Sequence, residues 1–66
     1  MTIGEKIARA RRAKGWTQEE LADRLGVTRQ SVSKWESDAA LPETDKLVRL
    51  CELLHMSCDA LLRPEV

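Results

Sequence analysis

Apolar residues recur three and four positions apart along this chain and nowhere alternate, a period that belongs to helices packed on one face rather than to strands. Ile3, Ile7 and Ala10 make one stripe, Leu21, Ala22 and Leu25 a second, and Val32 with Trp35 a third. Leu47, Val48, Leu50, Cys51 and Leu54 line the inner face of a fourth. The polar residues between stripes set the helix boundaries. Thr2 and Glu5 have the spacing of a capping box, so a first helix is expected from Ile3 to about Gly15. Arg11, Arg12 and Lys14 suit the negative end of its dipole. Thr17 and Glu20 repeat the box for a helix over Gln18–Leu25, with Trp16 stapled onto Leu21. Gly26 supplies the left-handed residue that ends it. Thr28 then caps a third helix over Arg29–Glu36, with Val27 and Val32 as staple. Ser31 stands where a glutamate would complete a box, so this cap is the weaker one. Residues 37–42 read as a loop in which Leu41 plugs the core and Pro42 keeps its predecessor extended. A fourth helix is expected to start between Glu43 and Asp45 and to run to about His55. A fifth, Cys58–Leu62, is capped by Ser57, stapled by Met56 onto Leu61, and followed by Pro64. The expectation is an all-α fold of five short helices in a single domain over residues 1–66, without repeat, linker or low-complexity segment.

Helices two and three, joined by Gly26-Val27-Thr28, have the spacing of a helix-turn-helix. The third helix turns only Val32 and Trp35 inward, so Arg29, Gln30, Ser33 and Lys34 share its outer face. Arginine can donate two bonds to guanine O6 and N7, and glutamine pairs in the same way with adenine N6 and N7. Ser33 and Lys34, one turn later, are placed to reach a base or a phosphate. The free N–H groups opening helices two and three suit phosphate oxygens, with Thr17, Gln18, Thr28 and Ser31 beside them. Arg9, Arg12 and Lys14 would bring positive charge to the flanking backbone. Any one of these residues alone is also what a solvated helix carries. Their grouping on this motif is what points to a duplex.

A chain of 66 residues holds one small core, made here without Phe or Tyr. A domain of this size buries only about 60% of its unfolded surface, so its stability margin is thin. Charged residues are 33% of the chain, and no apolar run approaches the ~20 residues of a membrane helix. The N-terminus has no apolar segment of the secretory kind, and a cytoplasmic location is expected. Net charge is zero, yet residues 1–34 carry eight bases against four acids while residues 35–66 carry three bases against seven acids. That +4/−4 split is a footprint for a polyanion on one side, or two solvated faces that differ.

Cys51, His55 and Cys58 have a spacing that invites a metal reading, with Glu52 and Asp59 as the nearest further donors. Cys51 falls on the apolar stripe, however, where a free cysteine acts as a small core residue, and there is no C-x-x-C pair. Neither a metal nor another cofactor is expected, nor is a Cys51–Cys58 disulfide in a cytoplasmic chain. With one His, no Tyr and no Gly-rich phosphate loop, an enzyme is not expected either.

The stretches IGEKIARARRAKGWTQEELADRLGVTRQSVSKWES, LP and TDKLVRLCELLHMSCDALL together resemble the lambdoid phage repressor and Cro type of helix-turn-helix domain, the xenobiotic-response-element-like regulators. Leu21, Leu25, Val27, Val32 and Trp35, with small Ala22 and Gly26, match the apolar pattern of the motif. Ala10 is smaller and Trp35 larger than is usual there, and Cys51 and Cys58 lie outside the pattern. The resemblance implies that Gln18 bonds a phosphate and buttresses the third helix, and that Thr28 touches the DNA backbone while capping it. Arg29, Gln30, Ser33 and Lys34 would face the major groove. It also implies that Arg11 pairs with Glu36, which fits Arg11 lying one turn from Ile7 and Glu36 following inward Trp35. The expected function is sequence-specific binding of double-stranded DNA by a bacterial or phage regulator, most simply a repressor. The expected form is a homodimer on a two-fold operator, with no membrane or small-molecule partner. Met56, Leu62 and Val66 are the candidates for the dimer contact. The competing reading is a protein-interaction adaptor, antitoxin-like or coactivator-bridging, that keeps the fold without reading bases. A chain ending after Pro64 could equally be whole or cut from a longer regulator.

Overall fold

The computed structural model describes residues 1–63. It consists of α1 (Ile3–Ala13), α2 (Gln18–Leu25), α3 (Arg29–Glu36), α4 (Thr44–Leu53) and α5 (Cys58–Leu62). Both expected capping boxes are present. The Thr2 hydroxyl accepts from the Glu5 N–H while the Glu5 carboxylate accepts from the Thr2 N–H, and Thr17 and Glu20 do the same for α2. These bonds hold both glutamate carboxyls below their ordinary range. α3 has only the Thr28 half of such a box, α5 is capped by Ser57, and α4 has no side-chain cap.

Each helix contributes one side chain with no exposed surface: Ile7, Leu21, Val32, Leu50 and Leu61. Around these five close Ala22, Leu25, Trp35, Cys51 and Leu54, with Ile3, Ala10, Trp16, Val27, Leu47 and Met56 at the edges. α3 packs on both α1 and α2, so the helix with the polar outer face is also the one held most firmly from behind. Two apolar expectations fail. Leu41 is 68% exposed and Pro42 is buried in its place. Val48 is 49% exposed, because Leu47, Leu50, Cys51 and Leu54 complete the i, i+3, i+4, i+7 stripe and residue 48 lies about 100° further round. Pro64 and Val66 lie outside the described residues.

α1 meets the end of α3 at very short range. A Cβ built on buried Gly4 would stand 2.5 Å from the carbonyl oxygens of both Trp35 and Glu36. The Gly4 N–H, one of the free donors of the α1 N-terminus, donates to Asp38 Oδ1 at 2.9 Å. The Thr2 hydroxyl and this N–H together lower the Asp38 carboxyl below its ordinary value. Two residues further along α1, the Lys6 ammonium donates to the Ala60 and Arg63 carbonyls (3.1 and 2.7 Å), closing the C-terminus of α5. Among the described residues, no helix is long and apolar enough to cross a membrane.

Candidate nucleic-acid interface

The turn between α2 and α3 is built from two local devices. Gly26 adopts φ +70°, which lets the Val27 N–H reach back to the Ala22 carbonyl at 3.0 Å, the bond that closes a left-handed helix end. Thr28 follows in extended conformation, and its hydroxyl accepts from the Ser31 N–H at 3.2 Å and lies 3.1 Å from the Ser31 hydroxyl. α3 therefore starts two residues after α2 has been turned aside. Its inward residues, Val32 and Trp35, are buried, whereas Arg29, Gln30 and Lys34 are exposed and Ser33 is half-buried. These four positions share the side of α3 opposite Val32 and Trp35. Thr17 and Thr28 are exposed at the two helix starts, Gln18 and Ser31 are half-buried beside them, and Arg12 is exposed on the last turn of α1.

A chain of polar contacts ties this face to the core. Arg11, with its side chain 10% exposed, donates two bonds to Glu36 from one edge of its guanidinium, Nε to Oε2 at 2.7 Å and Nη2 to Oε1 at 3.1 Å. Its remaining nitrogen, Nη1, donates to the Trp16 carbonyl at 2.7 Å. The Glu36 contact raises the Arg11 pKa against the opposing effect of burial. Glu36 Oε1 also accepts from Gln18 Nε2 at 3.0 Å, and Gln18 Oε1 in turn accepts from Arg29 Nη1 at 3.4 Å. One buried ion pair thus orients Gln18, and Gln18 limits where the Arg29 guanidinium can swing. Among the described residues no buried side-chain nitrogen or oxygen lacks a partner.

The charge split read along the sequence is less clean in space. Arg11 is consumed by Glu36. Lys14 Nζ is 2.6 Å from His55 Nδ1, at the end of α4. Arg9 and Lys6 line a shallow groove between α1 and α5 together with Ala10, Ala13, Met56 and Arg63, a space of about 410 Å³. Arg24 lies over the Trp16 ring, 4.3 Å from its centre, where the ring face attracts a cation. This contact had no signal in the pattern beyond the two residues' identities. Of the three flanking cations expected near DNA, Lys14 is held by His55 and Arg9 donates to the Met1 sulfur at 3.3 Å, while Arg12 is exposed on the last turn of α1. Among the possible metal ligands, Cys51 and Cys58 come together but His55 turns away to Lys14.

The sequence matches the helix-turn-helix family over residues 7–61. It is 40% identical over 61 residues to YonR, an uncharacterized transcriptional regulator derived from the SPbeta prophage of Bacillus subtilis, covering 92% of this chain and 56% of the relative. It is 38% identical to the transcriptional repressor RstR of the cryptic phage CTXphi in Vibrio cholerae, covering 92% and 54%. The chain thus spans about half the length of the curated relatives it matches. Its fold is similar to the crystal structure of the P22 c2 repressor in complex with a synthetic operator, with a TM-score of 0.93, 29% identity and 98% of each chain covered.

Proposed function

Since the chain belongs to the helix-turn-helix family, whose members similar to it are transcriptional regulators and repressors, we propose that it is the DNA-reading domain of a repressor. In this reading α3 enters the major groove. Arg29 and Gln30 read base edges, and Ser33 and Lys34 reach a base or a phosphate one turn further on. Thr17, Gln18, Thr28 and Ser31 hold phosphates at the starts of α2 and α3, and Arg12 holds one from α1. The observation that carries the reading is the bare outer face of α3, held from behind by buried Val32 and Trp35 and by the Arg11–Glu36 pair. The domain works as a dimer on a two-fold site, with α5 and its 46% exposed Leu62 as the contact. Met56 is half-buried against the core, which makes it the lesser contributor. The protein acts in the cytoplasm, where its DNA is, and catalyses no reaction.

The test is binding to duplexes selected from a random pool, measured across a salt series by fluorescence anisotropy. Affinity should fall with log salt by about 0.9 for each phosphate neutralised by a cation. Arg29→Ala should cost about 1–3 kcal/mol on the selected site and little on random DNA. Arg12→Ala should weaken both alike and reduce the salt slope by about one. Equal losses for Arg29→Ala on both duplexes would demote that residue to a phosphate contact. No measurable affinity at any salt would favour the adaptor.

A further inference from the structure

Away from α2 and α3, the fold brings two thiols into contact. Cys51 lies on the inner face of α4, 4% exposed, and Cys58 is the half-buried first residue of α5. The chain reverses between them through His55, at φ +54°, and the Met56 N–H closes the end of α4 on the Cys51 carbonyl at 3.0 Å. This corner folds α5 back over α4, so that the Cys58 thiol donates to Cys51 Sγ at 3.0 Å although the residues are seven apart in sequence. Both cysteines are free. Packing alone does not require the pair, since an alanine or valine fills a small core position as a free cysteine does.

We propose that Cys51 and Cys58 form a dithiol modification site at which a peroxide closes an intrachain disulfide between α4 and α5. Cys58, the more exposed thiol, meets the oxidant. Its sulfur attacks one peroxide oxygen, the O–O bond breaks, and one water leaves with the thiol proton, giving a sulfenic acid. Cys51 Sγ then attacks Cys58 Sγ. The S–O bond breaks, the hydroxyl leaves as a second water with the Cys51 proton, and the S–S bond forms. Two thiols have lost two hydrogens and the peroxide has been reduced to two waters. Burial, above all, pushes the Cys51 thiol up to about 12, which makes it a poor first target, and its sulfur 3.0 Å from Cys58 Sγ is in reach for the second step. The sulfurs have only about 1 Å to close to reach a bond of ~2.05 Å. Disulfides of this transient kind are the ones found in reducing compartments.

Treating the folded chain with a small excess of hydrogen peroxide, then blocking free thiols with iodoacetamide, reads the outcome by mass. The tryptic peptide beginning at Leu50 holds both cysteines, and the proposal requires that it lose two hydrogens, take up no label, and recover both labels after dithiothreitol. The cross-link restricts the unfolded chain, so the oxidised protein should melt about 5–10 °C higher than the reduced one. Cys58→Ser should abolish the change while leaving the reduced melting temperature within a few degrees. Cys51→Ala, which keeps an apolar core, should leave Cys58 to accumulate sulfenic acid. Two labelled cysteines after peroxide, a sulfinic Cys58 beside a labelled Cys51, or a chain-to-chain dimer through Cys58 would each overturn the proposal.

Discussion

Arg11 occupies a core position with a full charge, and its environment shows how that is tolerated. All three guanidinium nitrogens are bonded, two to Glu36 and one to the Trp16 carbonyl. Glu36 is itself only 7% exposed at the side chain and serves Gln18 as well. A buried pair of this kind contributes little net stability over an apolar pair of the same shape, but removal of one partner strands the other. Glu36→Ala should therefore cost about 3–5 kcal/mol. Domains typically have ~0.05–0.15 kcal/mol of stability per residue, or roughly 3–10 kcal/mol for this length. The variant is thus expected to be largely unfolded by circular dichroism at temperatures where the parent is native. Glu36→Gln keeps an acceptor for Arg11 and should lose less. A melting curve for Glu36→Ala within a few degrees of the parent would show that Arg11 finds water or another acceptor. That a basic residue follows the Ile7 stripe was visible in the sequence, as was an acid following Trp35. The buttressing share of Gln18 came only with the family resemblance, because by pattern alone its amide could as well have turned outward.

At the scale of elements, four of the five helices end by one device. Gly15, Gly26, Asp38 and His55 all take positive φ, and in each case the next residue's N–H bonds a carbonyl five residues back. The glycines announce themselves, since only glycine adopts that region without cost. Asp38 and His55 do not, because Asp and His tolerate it without needing it, so residues 37–42 read as undifferentiated loop. Asp38 then does double duty, ending α3 and capping α1 through Gly4. The misplacements of Leu41 and Val48 have the same origin. An apolar residue in a loop or beside a stripe is assigned inward by pattern, and only packing decides. The close approach at Gly4 is the least legible feature, because a glycine near a helix start looks merely permissive. It gives the sharpest test of how α1 is seated. Alanine is the better helix former by about 1 kcal/mol, so an unconstrained α1 would gain from Gly4→Ala. Here the added carbon meets two backbone oxygens at 2.5 Å and the Asp38 carboxylate at 2.8 Å, none of them at the end of a long flexible side chain. Overpacking of this kind costs about 1–3 kcal/mol, and the variant should melt about 5–20 °C lower. A higher melting temperature would mean that α1 and the end of α3 stand further apart in solution.

For the whole molecule the governing quantity is size. The described residues measure 32 × 22 × 20 Å, less than the ~34–36 Å between successive major-groove faces on one side of a duplex. On the proposed function, one copy would therefore read only one half-site, and two copies docked one helical turn apart would be close enough to touch. With zero net charge, and with Arg11, Arg24 and Lys14 already engaged within the fold, a single domain has few cations to hold a phosphate backbone. In the proposed reading, useful affinity comes from pairing. A selected site should contain two inverted half-sites with centres about 34–36 Å apart, occupied cooperatively by two copies. Inserting half a helical turn between them puts the second copy on the opposite side of the duplex, and inserting a full turn separates the copies beyond the span of either domain. Both insertions should reduce binding to that of two independent, weak half-sites, read as loss of the two-copy complex in a mobility-shift titration. Leu62→Lys should have the same effect on the uninterrupted site while leaving single half-site binding unchanged, because Leu62 is exposed on α5 and not on α3. Undiminished affinity across both insertions would establish that each copy binds alone, and the exposed edge of α5 would then need another explanation.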